Sequence, residues 1–166
     1  MEHDQWQELM DKAYNRWQEG GDLHRRPYRE FIDELIPLQR KAVLLGNLNY
    51  QVNNGGFSQW IMNGYALEAE RVERLLREIG TPTCLKVADL VKQIVPLIDF
   101  ESRDHGCMGS YLKSERRQRE RRRYEEDEGE EEHESFEKLD DEFFDINNEV
   151  FMREIEAFFS AYALSA

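Results

Sequence analysis

Residues 136–162 read FEKLDDEFFDINNEVFMREIEAFFSAY. Their apolar positions recur every three to four residues, the interval of a helix, and not every second residue as in a strand. Phe136, Leu139, Phe143, Ile146, Val150 and Phe151 share one face, which Ile155, Phe158, Phe159 and Tyr162 extend. One long terminal helix with a single buried side is predicted. Toward the N-terminus the same spacing returns. Trp6, Leu9, Met10, Ala13 and Trp17 form a first amphipathic helix, stopped by Gly20 and Gly21. Pro27 opens a second, with Tyr28, Phe31, Ile32 and Leu35 inward, until Pro37 interrupts it, and Leu38 to Tyr50 restarts as a third. The Asn and Gly content of Val52 to Phe57 predicts a tight turn, followed by a short element, Ser58 to Met62, that Asn63 and Gly64 end.

Leu67, Val72, Leu75, Leu76 and Ile79 set a further helix with Gly80 as its C-cap, and Leu85 to Leu97 another. Glu101 to Ser110 lacks periodicity and reads as loop. Strand-like alternation and internal repeats are missing from the sequence. The reading is an all-α, single-domain multi-helix bundle over residues 1–166, with a charged insert at about 106–134 before the last long helix.

Composition limits the function. The 166 residues carry 22 Lys and Arg against 35 Asp and Glu, a net charge of −13, and the 40% hydrophobic content can still build a core. Such a surface repels phosphates, so direct nucleic-acid binding is disfavoured and a basic partner is favoured. No run of eighteen apolar residues occurs and Met1 to Asp11 is polar, which argues against a membrane span or secretory leader. Two cysteines, Cys84 and Cys107, fit free thiols in a reducing compartment, and the cytoplasm is the expected location.

The charge is local. Lys113 to Arg123 carries a net +5, whereas Glu125 to Glu156 holds sixteen acids against Lys138 and Arg153, a net −14. The remaining chain carries only −4. Were residues 125–156 one helix, it would run roughly 48 Å. Its carboxylates would then fall about one per 3 Å, close to the roughly 3.4 Å charge spacing of a DNA strand. The macrodipole opposes a single helix through both blocks, because cations would crowd its N-terminal end. Residues Ser114 to Glu134 are therefore expected to fray. The acids nominated for partner binding are Glu125, Glu126, Asp127, Glu128, Glu130, Glu131, Glu132, Asp140, Asp141, Glu142 and Asp145. A charge run is also the ordinary form of a solubilising face.

The central stretch Asn49, Tyr50, Gln51, Val52, Asn53, Asn54, Gly55, Gly56, Phe57, Ser58, Gln59, Trp60, closed by Asn63 and Gly64, resembles the signature of the bacterial DNA-mimic protein family. Asn53, Asn54, Gly55, Gly56, Phe57 and Gln59 match, and Trp60 fills the aromatic slot. The Ile79, Gly80, Thr81 break and the run from Leu139 to Phe144 are similar as well, whereas the insert departs from the family pattern. The resemblance implies an all-α, non-enzymatic protein whose acidic surface imitates the phosphates of duplex DNA. It would occupy the DNA-binding face of a transcriptional repressor or histone-like protein and compete with DNA there. The acids themselves lie outside the matched motif.

The motif has a functional reading, in which Asn53 and Asn54 present amides to a ligand. It also has a structural one, in which Asn and Gly make the turn while Phe57 and Trp60 anchor it. The structural reading is preferred, because no nucleophile with a base and no phosphate loop accompanies the motif. No catalytic residue and no cofactor is nominated. His105 and Cys107 beside Asp104 lack the second ligand pair of structural zinc, so no metal is expected. His3, His24 and His133 read as surface residues, and Trp6, Trp17 and Trp60 as core. Two alternatives stay open: an immunity or anti-defence inhibitor of a basic nuclease, and an enzyme with a pocket at the Asn53–Phe57 turn. A homodimer is compatible with each of these readings, the DNA mimic included.

Overall fold

Prolines set where two helices begin. Pro37 and Pro82 each occupy the first turn of a helix, where the missing N–H is not needed and the fixed φ already suits the helix. The computed structural model describes residues 5–19, 28–101, 111–114, 117 and 135–165. Its helices are α1 (Gln5–Glu19), α2 (Tyr28–Glu34), α3 (Pro37–Met62), α4 (Ala69–Ile79), α5 (Pro82–Ile94), α6 (Glu137–Phe144) and α7 (Asn148–Ser165), with 3-10 turns at Tyr65–Glu68 and Val95–Leu97. The fold is all-α. Among the described residues the β-type pairing is confined to one antiparallel bridge between Ile98 and Leu112.

Between α2 and α3 the chain reverses over Leu35 and Ile36, and Arg40 holds the corner. Its guanidinium donates to the carbonyls of Ile32 (2.9 Å), Asp33 (3.0 Å) and Leu35 (3.0 Å) at the end of α2, where the Ile32 carbonyl also accepts the Leu35 amide (3.3 Å). The middle of α3 is buried on every side from Ala42 to Leu48, the pattern of a helix surrounded by others. Helix α1 packs along it and α4 and α6 also touch it, while α4 and α5 form a hairpin closed by Gly80 in the left-handed region. Aromatic edges join α3 to the C-terminal helices. Phe57 meets Phe143 at 5.7 Å and Phe143 meets Phe151 at 6.4 Å, both near perpendicular.

Three elements differ from expectation. Helix α3 begins at Pro37 and stays helical through Asn54, so the break narrows to Gly55 and Gly56, a kink inside one element. Helix α5 begins at Pro82 and tightens to 3-10 at Val95. The long terminal helix is two helices. Asp145 and Ile146 close α6 on the carbonyls of Asp141 and Phe143, and the Asn147 Oδ1 accepts from the amides of Glu149 (3.1 Å) and Val150 (3.2 Å), which opens α7. Ile146 in the joint still packs on the core, so the apolar spacing runs unbroken across a real chain break. The acids therefore do not lie on one continuous 48 Å rod. The insert and its expected fraying lie outside the described residues, apart from Tyr111, Leu112, Lys113, Ser114 and Arg117.

Candidate acidic interface

Helix α6 is short and two-sided. Phe136, Leu139 and Phe143 turn to the core, leaving Glu137, Lys138, Asp141, Glu142, Phe144 and Asp145 exposed. Asp141 and Asp145 are one turn apart on one face, with Glu142 beside them. Lys138 lies 4.0 Å from Glu142 with its own side chain 90% exposed, so it neutralises little of that charge. Glu142 and Asp145 also form one wall of an open groove of about 580 Å³, whose opposite wall is Thr83, Lys86, Asp89, Leu90 and Gln93 of α5. Of the eleven acids nominated from the sequence, Asp141, Glu142 and Asp145 face solvent here. Glu125, Glu126, Asp127, Glu128, Glu130, Glu131 and Glu132 lie outside the described residues.

Asp140 turns the other way. Its Oδ1 accepts the Phe57 backbone N–H at 2.7 Å, so the carboxylate caps the helical turn that restarts after the kink. Burial raises its pKa above the usual aspartate range and the neighbouring Asp141 charge adds to this, while the Phe57 amide works in the opposite direction. Gly56 makes the approach feasible. It adopts φ 73° and ψ −176°, a conformation almost confined to glycine, and a Cβ there would lie 2.3 Å from Asp140 Oδ2.

The other motif residues complete this joint. Gln59 folds back over Gly55, where a Cβ would meet its Oε1 at 2.1 Å. The Gln59 amide then donates to Gln51 Oε1 at 2.9 Å, and Asn63 donates to the same oxygen at 2.7 Å. Gln51 thus ties the helix before the kink to the helix after it. Asn53 donates to the Asn49 carbonyl (2.8 Å) and side-chain oxygen (3.0 Å), and Ser58 to the Gly55 carbonyl (3.2 Å). Asn54 is exposed, whereas Phe57 and Trp60 are fully buried and fill the turn. Sequence reasoning did not find Gln51 or the inward role of Asp140. Neither has a periodic signal, because their partners lie across a kink and 83 residues away, respectively.

Among the described residues no group of three or more His, Cys, Asp or Glu could hold a metal, and no helix is long and apolar enough to cross a membrane. His105, Cys107 and Asp104 lie outside the described residues. Cys84 is a buried free cysteine whose thiol is pushed up to about 11, chiefly by burial. Beside it, Glu154 of α7 accepts from the Thr81 hydroxyl (2.6 Å) and the Cys84 amide (3.3 Å), capping α5 from a distant helix.

Comparison with curated proteins and with solved structures finds no match to either. A family model does match, over residues 33–162, from α2 through the kinked α3 and the acidic α6 into α7. The chain belongs to the DMP19-like protein family, a family of DNA-mimic proteins.

Proposed function

We propose that the protein is a non-enzymatic DNA mimic that binds the DNA-binding face of a basic transcription regulator or nucleoid protein and competes with DNA for it. Membership of the DMP19-like family carries this reading. The exposed Asp141, Glu142 and Asp145 on a short helix anchored by Phe143 give it a physical basis. Carboxylates on a packed helix keep their spacing, so a cationic groove meets a fixed charge pattern and not a fluctuating tail. Each exposed contact contributes only about 0–1 kcal/mol, so several must act together and binding must weaken as salt screens them. The filled turn at Phe57 and Trp60 weighs against an enzyme pocket there.

The test is retention of bacterial DNA-binding proteins on the immobilised full chain across a salt series, followed by displacement with duplex DNA. Retention at low salt that both salt and DNA reverse is expected. Failure to retain any DNA-binding protein at low salt, or retention that duplex DNA cannot reverse, removes the reading.

A further inference from the structure

A cavity of about 430 Å³ opens between α1 and α3, lined by Trp6, Gln7, Met10, Gly46, Asn47, Asn49, Tyr50, Gln51, Tyr65 and Met152. In a chain that is 34% charged, none of these ten side chains carries a charge. They are three aromatic rings, two thioethers, a glycine and four carboxamides. The size falls within the range of small-molecule sites.

Gln51 offers the cavity its amide donors. It is 6% exposed, and its Oε1 is already shared by Gln59 and Asn63. Its Nε2 carries two N–H donors with no acceptor among the described residues, and the residue lines the cavity. That amide edge is not sealed from solvent, so a bound acceptor would take the place of water there. Beside it Tyr65 is held edge-on by Tyr28 at 4.7 Å, and Tyr28 is itself fixed by a 2.7 Å hydrogen bond from Asn47. Trp6 is almost wholly buried, whereas Tyr50 is 63% exposed.

The geometry points to a binding site for an uncharged, planar, acceptor-bearing heterocycle of the nucleobase or nucleoside class. Aromatic walls stack on a base regardless of its identity, and carboxamides pair with the donor and acceptor edge of a base. Among the described residues no cation lines the cavity, which in a protein of net charge −13 selects against a phosphorylated ligand.

The test titrates the full chain with adenosine, guanosine, cytidine and uridine up to millimolar concentration, and with AMP. Tryptophan fluorescence and thermal stability are the readouts. At least one nucleoside is expected to give a saturable change and a raised Tm, with AMP weaker. Tyr50→Ala, at an exposed position that folding tolerates, and Gln51→Leu are each expected to weaken binding by about tenfold or more. No saturable change with any nucleoside, AMP binding more tightly than adenosine, or wild-type affinity in folded Tyr50→Ala overturns the assignment. Neither result bears on the acidic surface, which the salt-dependent retention experiment tests separately.

Discussion

The carboxylate of Asp140 occupies the space that a side chain at residue 56 would fill, and it accepts the next backbone amide, that of Phe57, at 2.7 Å. The acid run and the glycine motif, 83 residues apart, are thereby one structural joint. Asp140→Ala should destabilise by about 1–3 kcal/mol, because the buried Phe57 amide loses its acceptor, while Asp140→Asn retains an acceptor oxygen and costs less. Gly56→Ala should cost about 1–3 kcal/mol in backbone strain alone, with the clash added. Because Asp140→Ala clears the clash, the double variant should be less unstable than the two single effects combined. Urea unfolding of the four proteins measures this, and strict additivity would refute the contact.

Two carboxylates should give opposite pH trends. Glu78 accepts from Lys41 at 2.5 Å and from Tyr162 at 3.1 Å. The Lys41 hydrogen bond leads in holding its pKa below the ordinary 4.5. Its contribution is therefore present above that value and fades as pH falls through the lowered folded value. With Glu78 half exposed, the effect should stay below about 1 kcal/mol. Asp140 has the reverse sign: its raised folded pKa means that stability is gained as pH falls and lost as pH rises through that value. Relative to wild type, Glu78→Gln should look progressively better, and Asp140→Asn progressively worse, as pH drops from neutral into acid. Parallel trends for the two variants in chemical denaturation would contradict these signs.

Neutralising the exposed acids should separate binding from folding. The triple variant Asp141→Asn, Glu142→Gln, Asp145→Asn removes side chains that the core does not use, so each change should alter stability by no more than about 0.5 kcal/mol. Retention of a basic DNA-binding protein should then fail at lower salt than for wild type, as read by a salt-gradient wash. Unchanged salt dependence would place the interface elsewhere.

Cys84 should behave as an inert thiol. Its burial and a pKa near 11 leave almost no thiolate at neutral pH. In a Cys107→Ser background, native protein should react negligibly with a thiol-specific disulfide reagent and release one equivalent of product after unfolding. Rapid reaction of native protein would show that the α5 N-terminus opens.

The helical class was legible because period and punctuation agreed. Apolar residues at three-to-four-residue intervals, Gly80 as a left-handed cap, and the Asn63–Gly64 stop all appear where local chemistry puts them. The joint at residues 145–147 was not legible. Ile146 keeps its place on the buried face across the break, so hydrophobic spacing carries no trace of the chain reorganising around the Asn147 cap.

By itself the sequence determined an all-α chain with its acid concentrated in the last third and a glycine-rich break in the middle, since helix period, φ preference and charge are properties of neighbouring residues. Tertiary structure alone decided that Asp140 turns inward while Asp141, Glu142 and Asp145 stay in water. It also decided that Gln51 fastens the kink and faces a neutral cavity. Those outcomes depend on which distant backbone amide or carboxamide comes within hydrogen-bonding reach, and such proximity is created by packing, not by spacing along the chain.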